Sequence, residues 1–185
     1  MYASYNSGLN LTKGNCSKLA YDLLLKNKGQ LCFRFKLDEI DNATERVILY
    51  SVKDGIQKMA LFVARDNTIY FQHRSGDNCE VVGYAAPGKW QFFGLTFNED
   101  TTKVVLDDEV TIQESYGIEL EDAYTYFGCA VNSDLQPVMH LNGCIEMIAF
   151  KNEYNSNTIE LENIRDKGES ISIRTYYDEI GRAHV

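Results

Sequence analysis

The sequence predicts an all-β fold, an antiparallel two-sheet jelly-roll sandwich carrying one short helix. Three observations predict it. Residues 30–37, QLCFRFKL, alternate cleanly, with Leu31, Phe33, Phe35 and Leu37 on one side and Cys32, Arg34 and Lys36 on the other. Period two with one polar face marks a strand that lays one side on a core. Residues 88–150 then run strand, polar turn, strand, loop, strand, turn, strand, written mainly in β-branched and aromatic residues. Finally, 12 tyrosines and 9 phenylalanines in 185 residues suit half-buried pleated surfaces in one domain with a sizeable core.

The elements follow in order. Leu19–Asn27, LAYDLLLKN, reads either as a short helix or as an extended lead into the first long strand. After residues 30–37, strands are expected at Arg46–Val52, Lys58–Arg65, Thr68–Arg74 and Cys79–Tyr84. Their separators, Asp54-Gly55, Asp66-Asn67 and Ser75-Gly76-Asp77-Asn78, are turn formers, and Asp66-Asn67 marks a tight hairpin. Trp90–Phe97 is apolar on both faces and is expected to be covered on both. Lys103–Leu106 pairs back across Asn98–Thr102, and Val110–Gln113, Tyr124–Ala130 and Cys144–Phe150 complete the set, the last opened by an Asn142-Gly143 turn. The helix is placed at Thr158–Arg165, where Asn157 and Glu160 form a capping box and Gly168 closes the end.

Composition narrows the function. A net charge of −9 disfavours nucleic acid and strongly anionic glycans, whose phosphates or sulfates need clustered Lys and Arg. Neutral sugars, cationic partners and protein surfaces remain. No run of 18 apolar residues is present to span a membrane, and the first residues do not read as a signal peptide. The five cysteines, Cys16, Cys32, Cys79, Cys129 and Cys144, are widely spaced without a C-x-x-C pattern, which argues against zinc. Two readings stand: mostly buried free thiols, or a Cys129–Cys144 pair, each following a glycine at the start of a run.

The order of these runs carries a resemblance. Lys89-Trp90, an apolar strand, a polar turn and Lys103-Val104-Val105-Leu106-Asp107, followed by Phe127-Gly128-Cys129 and Leu141-Asn142-Gly143-Cys144-Ile145-Glu146, resemble the laminin-G-like and concanavalin-A-like jelly rolls over residues 8–165. The resemblance implies a recognition module that contacts carbohydrate or a protein partner. It departs from the family pattern at Asp108, where a glycine is usual, and in lacking a cysteine after Cys144. It also implies calcium as a cofactor to test, with Asp107, Asp108 and Glu109 as rim oxygens set against a plain solvated turn. Residues 175–182, TYYDEIGR, are similar to the start of a YD repeat of Rhs-type, wall-associated bacterial proteins. That similarity implies a sandwich over 1–168, a repeat-like segment over 169–185 and an exported, cell-surface setting.

Catalytic patterns are weak. Glu39-Ile40-Asp41 resembles part of a jelly-roll glucanase motif, but the next carboxylate, Glu45, falls one position late for one strand face. Glu39 and Asp41 read as turn residues. His73, His140 and His184 lie far apart, with no nucleophile pattern beside them. The chain is therefore expected not to be an enzyme. A sugar site asks for exposed rings flanked by amides and charges. Tyr70, Gln72 and Arg74, on the strand face opposite Ile69 and Phe71, are the first candidates, with Tyr84 beside them and Tyr124 and Tyr126 as others; cross-strand stabilisation is the competing role.

Overall fold

A computed structural model describes residues 2–5, 9–10, 16–18, 26–38, 44–73, 79–107, 109–152 and 154. The expected helix at Thr158–Arg165, the tail at 169–185, most of Leu19–Asn27, and Glu39, Asp41 and Arg74 lie outside the described residues.

Fifteen strands are described: β1 (Tyr2–Tyr5), β2 (Leu9–Asn10), β3 (Ser17–Lys18), β4 (Gly29–Leu37), β5 (Arg46–Lys53), β6 (Ile56–Val63), β7 (Thr68–His73), β8 (Cys79–Tyr84), β9 (Gln91–Phe97), β10 (Thr102–Leu106), β11 (Glu109–Glu114), β12 (Tyr124–Phe127), β13 (Ala130–Val131), β14 (Pro137–Val138) and β15 (Gly143–Lys151). Sheet I runs β1-β15-β4-β9-β10-β11, with β2 also on β15; sheet II runs β3-β12-β5-β6-β7-β8; β13 and β14 form a small ribbon. The pairings are antiparallel throughout. Among the described strands the chain leaves sheet I for sheet II after β2, β4 and β11 and returns after β3, β8 and the β13–β14 ribbon, the sheet-swapping path of a jelly roll.

Alternation drives the layers together. Leu31, Phe33, Phe35 and Leu37 of β4 are buried, as the sequence predicts, and meet Phe71 and Phe127 of sheet II in one core. Phe33 lies at its centre, 5.1 Å from the Phe93 ring and 5.6 Å, edge-on, from Phe127. Such offset and T-shaped arrangements suit the ring quadrupoles. A hydroxyl pair, Ser51 and Thr125, sits inside this core and satisfies itself at 2.8 Å. β9 is buried along its whole length, on the outward side too, where Phe92 packs with Cys32, Val105 and Ala149.

The turns follow their residues. Asp54 and Gly55 both have positive φ and close a two-residue hairpin between Lys53 and Ile56. The Asp66-Asn67 hairpin is present as well, with Asn67 at φ 68° and Asp66 accepting from the Thr68 amide. At the β10–β11 hairpin Asp107 has φ 48°, and Asp108, where a glycine is usual, lies outside the described residues. The Asp107 carboxylate accepts from the Phe92 amide at 2.7 Å and the Gln91 side-chain amide at 3.0 Å, so the strained residue is anchored to β9. One expectation is corrected at Asn142-Gly143. Gly143 is already a strand residue, and a Cβ there would meet the Lys36 carbonyl oxygen on β4. The glycine serves close approach of two strands, not a turn.

The cysteines correct another. Cys144 lies on β15 opposite Lys36 of β4 and Asn10 of β2, in sheet I, so it is no partner for Cys129. The thiol in hydrogen-bond contact with Cys129 is Cys16, beside β3 in sheet II. Cys32 and Cys129 are buried, Cys16 and Cys144 half-buried and Cys79 exposed.

Candidate functional site

The outward face of sheet II gathers aromatic and amide side chains. Register defines its rows. Tyr126 of β12, Tyr50 of β5, Ala60 of β6 and Gln72 of β7 lie side by side across four strands. Phe62 and Tyr70 form a neighbouring row, and Tyr124 and Val52 another. Since opposed residues of an antiparallel pair point to one face, these groups share the surface turned away from the core. Ala60 is the smallest of its row and lies low between Tyr50 and Gln72.

Local interactions hold the rings. Phe62 and Tyr70 stack at 5.5 Å with their planes 21° apart. The Gln57 side-chain amide donates to the Gln72 carbonyl oxygen at 2.8 Å, fixing two amides side by side. Lys18 of β3 sets its ammonium 3.6 Å from the Tyr124 ring centroid and 5.7 Å from that of Tyr126, a cation–π arrangement. Burial raises the Tyr50 and Tyr126 phenols above their ordinary value, with Cys129 and Cys16 adding to the rise at Tyr126. Both are therefore neutral hydroxyls at physiological pH.

Of the residues expected to bind sugar, the structure brings three onto this face. Tyr70 and Gln72 project from β7 beside each other, half-buried. Tyr84 pairs with Thr68, which shares their face, and is 70% exposed on edge strand β8. Tyr124 and Tyr126 join from the other side of the sheet. Tyr50, Phe62, Gln57 and Lys18 were not singled out by the sequence. A bulge at Ile48, which puts Ile48 and Leu49 both in the core, breaks the alternation that would have pointed to Tyr50.

Two other clusters are distinct from it. On the outward side of sheet I, the Arg34 guanidinium and the Lys36 ammonium each lie 5.3 Å from the Trp90 ring centroid, and Arg34 pairs with Glu146 at 3.2 Å. At the β8 end of the sandwich, buried His73 stacks on Tyr116 at 3.7 Å, and Glu80 receives the Tyr116 hydroxyl at 2.8 Å and faces His73 Nε2 at 3.4 Å. His73 is thus a packed residue. For calcium, the Asp107 oxygens are engaged by Gln91 and Phe92. Among the described residues, no group of three or more His, Cys, Asp or Glu side chains is placed to hold a metal ion.

The buried acids set an alkaline limit. Burial pushes the Cys32 thiol up to about 12. Burial, then the hydrogen bond to Glu80, raises the Tyr116 phenol as well. Both groups are neutral in the fold, and the unfolded chain gives up these protons at lower pH. The stability they confer is complete below about pH 8.5 and is lost as pH rises towards the folded values. The urea midpoint is expected to fall between about pH 9 and about pH 11, and Tyr116→Phe should flatten the upper part of that fall. An unaltered slope in the variant would contradict this assignment.

No protein-family model matches the sequence, and no curated protein matches it. Solved structures share its architecture. The CBM40 of the Ruminococcus gnavus IT-sialidase, bound to α2,6-sialyllactose, superposes with a TM-score of 0.66 at 13% identity, over 89% of this chain and 97% of that one. A SAP-like pentraxin from Limulus polyphemus superposes with 0.62 at 11% identity, over 94% and 84%. Trypanosoma rangeli sialidase in complex with sialic acid gives 0.59 at 12% identity over 76% of this chain, which spans only 23% of the sialidase. At these identities the likeness concerns the fold, and it agrees with the strand order above: the chain is an all-β jelly-roll sandwich of two antiparallel sheets.

Proposed function

We propose that this domain is a non-catalytic recognition module that binds carbohydrate on the outward face of sheet II. The observation that carries the reading is the set of half-buried rings on that face, Tyr50, Phe62, Tyr70 and Tyr124, with Gln57 and Gln72 between them and Tyr126 buried beside them. Sugar C–H faces stack on rings, and sugar hydroxyls exchange hydrogen bonds with amides and phenols. The sialyllactose-bound CBM40 that shares the fold supports the class of ligand. The net charge of −9 favours neutral glycans, with the Lys18 ammonium over the Tyr124 ring.

Enzyme status, calcium and setting belong to the same proposal. The module is expected to bind without turning its ligand over and without calcium, and to act outside the cell as part of a larger surface protein. A glycan array that includes sialyllactose, read with and without EDTA, tests this directly. Retention of a defined glycan in both conditions supports the reading. Retention lost in EDTA would bring calcium in, and reducing sugar released from a polysaccharide panel would make the domain an enzyme. An array without retained glycan would leave a spacer that packs on its neighbours.

A further inference from the structure

The Cys16 and Cys129 thiols are placed as a pair. β3 joins sheet II through only two residues, Ser17 opposite Phe127 and Lys18 opposite Tyr126. Continuing that register by one step sets Cys16 beside Gly128-Cys129. Cys129 is fully buried among Val52, Tyr126 and Val131, and Cys16 packs against this cluster together with Tyr50 and Tyr124. The two thiols act on each other's ionisation, a mutual hydrogen bond lowering Cys16 and raising Cys129. Gly128, at φ 81°, donates its amide to the Ile48 carbonyl and accepts from the Leu141 amide, so the Cys129 side of the pair is held by the sheet. The Cys16 side is held by the short β3 pairing.

From this geometry we infer that Cys16 and Cys129 are a disulfide-forming pair, and that closing the bond clamps β3 onto β12 and locks Lys18 over the Tyr124 ring. The chemistry is thiol–disulfide exchange with a small-molecule disulfide such as oxidised glutathione. Cys16 is half-buried, and the hydrogen bond from Cys129 favours its thiolate, so it attacks first. A Cys16–glutathione bond forms and one glutathione thiolate leaves. Cys129 then gives up its proton, attacks the Cys16 sulfur and expels the second glutathione. The protein loses two protons and two electrons, and the glutathione disulfide is reduced to two thiols.

The bond would close a long loop between residue 16 and residue 129. It therefore restricts the unfolded chain and keeps β3, with its two paired residues, from fraying. Among the described residues, Lys18 sets its ammonium over the Tyr124 and Tyr126 rings. The pair thus gives the oxidised and reduced forms different hold on the charge at the edge of that face. The inference stands apart from the sugar reading, because both of its measurements are made without a glycan.

The test uses the whole chain, reduced with dithiothreitol or equilibrated with oxidised glutathione. Non-reducing peptide mapping is expected to show a peptide linking Cys16 to Cys129 in the oxidised sample, with Tm raised by roughly 5–10 °C. Brief acetylation with an N-hydroxysuccinimide ester is expected to label Lys18 several-fold more slowly in the oxidised form, with exposed Lys89 labelled equally in both. Cys16→Ser, at the half-buried position, should fold, give no linked peptide and lose the response of Tm to oxidant. Failure to link Cys16 to Cys129, or linkage of either to Cys79 or Cys144 instead, overturns the pair. Linkage with unchanged Lys18 labelling overturns the clamp.

Discussion

Phe33→Ala is expected to cost about 3–5 kcal/mol of folding stability, the range for a large ring removed from a packed core. Phe33 is fully buried and touches both layers: its ring neighbours are Phe93 and Phe35 within sheet I and Phe127 across the interior in sheet II. These neighbours belong to paired strands whose backbone cannot collapse inward without breaking ladder hydrogen bonds, so a cavity would persist. A chain of this kind has a total stability on the order of 5–15 kcal/mol, and the variant should retain only a fraction of it. Urea unfolding followed by tyrosine fluorescence measures the change. A loss below about 1 kcal/mol would mean that the two sheets do not close over this ring.

The second large effect concerns binding. Tyr70→Ala should weaken affinity for the retained glycan by roughly 10–100-fold, the loss of about 1.4–2.8 kcal/mol, while costing less than about 1 kcal/mol of stability. Tyr70 stands on the outward face of β7, half-buried, with one side of its ring against Phe62. Its removal deletes a stacking surface and frees Phe62 to tilt, without opening the core beneath Ile69 and Phe71. Gln72→Ala should act in the same direction, because it unpairs the Gln57 amide that now donates to it. Titration calorimetry of each variant, beside its unfolding midpoint, separates a lost contact from a lost fold. Unchanged affinity in Tyr70→Ala would remove sheet II from the account.

Much of the fold was legible in the sequence because pleated alternation has only two faces. Leu31, Phe33 and Phe35 could be assigned to the interior from spacing alone, and β9 could be recognised as covered on both sides from Phe92, Phe93, Leu95 and Phe97. The site was legible only where alternation is unbroken. Tyr70 and Gln72 were found because β7 runs without a bulge from Thr68 to His73. Tyr50 was hidden because a bulge at Ile48 puts consecutive Ile48 and Leu49 in the core, so parity counted from the start of β5 fails before it reaches that ring. Lys18 was hidden for another reason: a two-residue strand has no period, and only tertiary pairing with β12 places it. The Cys129 partner failed on the same ground. Glycine spacing suggested Cys144, whereas sheet membership decides the neighbour, and Cys129 lies beside sheet II while Cys144 lies in sheet I. Asn142-Gly143 read as a turn because the dipeptide usually is one; the close approach of Lys36 is a tertiary fact.

The tyrosine face and the lone tryptophan lie on opposite sides of the sandwich, which makes the central claim open to one experiment. Trp90 sits with Arg34 and Lys36 on the outward side of sheet I, remote in the sheet order from Tyr50, Tyr70 and Tyr124. Titrating the isotope-labelled protein with the retained glycan and following aromatic and side-chain amide NMR signals reports on both faces at once. Binding on sheet II predicts shifts at Tyr50, Tyr70, Tyr124 and the Gln57 and Gln72 amides, with the Trp90 indole signal unmoved. Saturable shifts at Trp90 with the tyrosines and glutamines unmoved would contradict it.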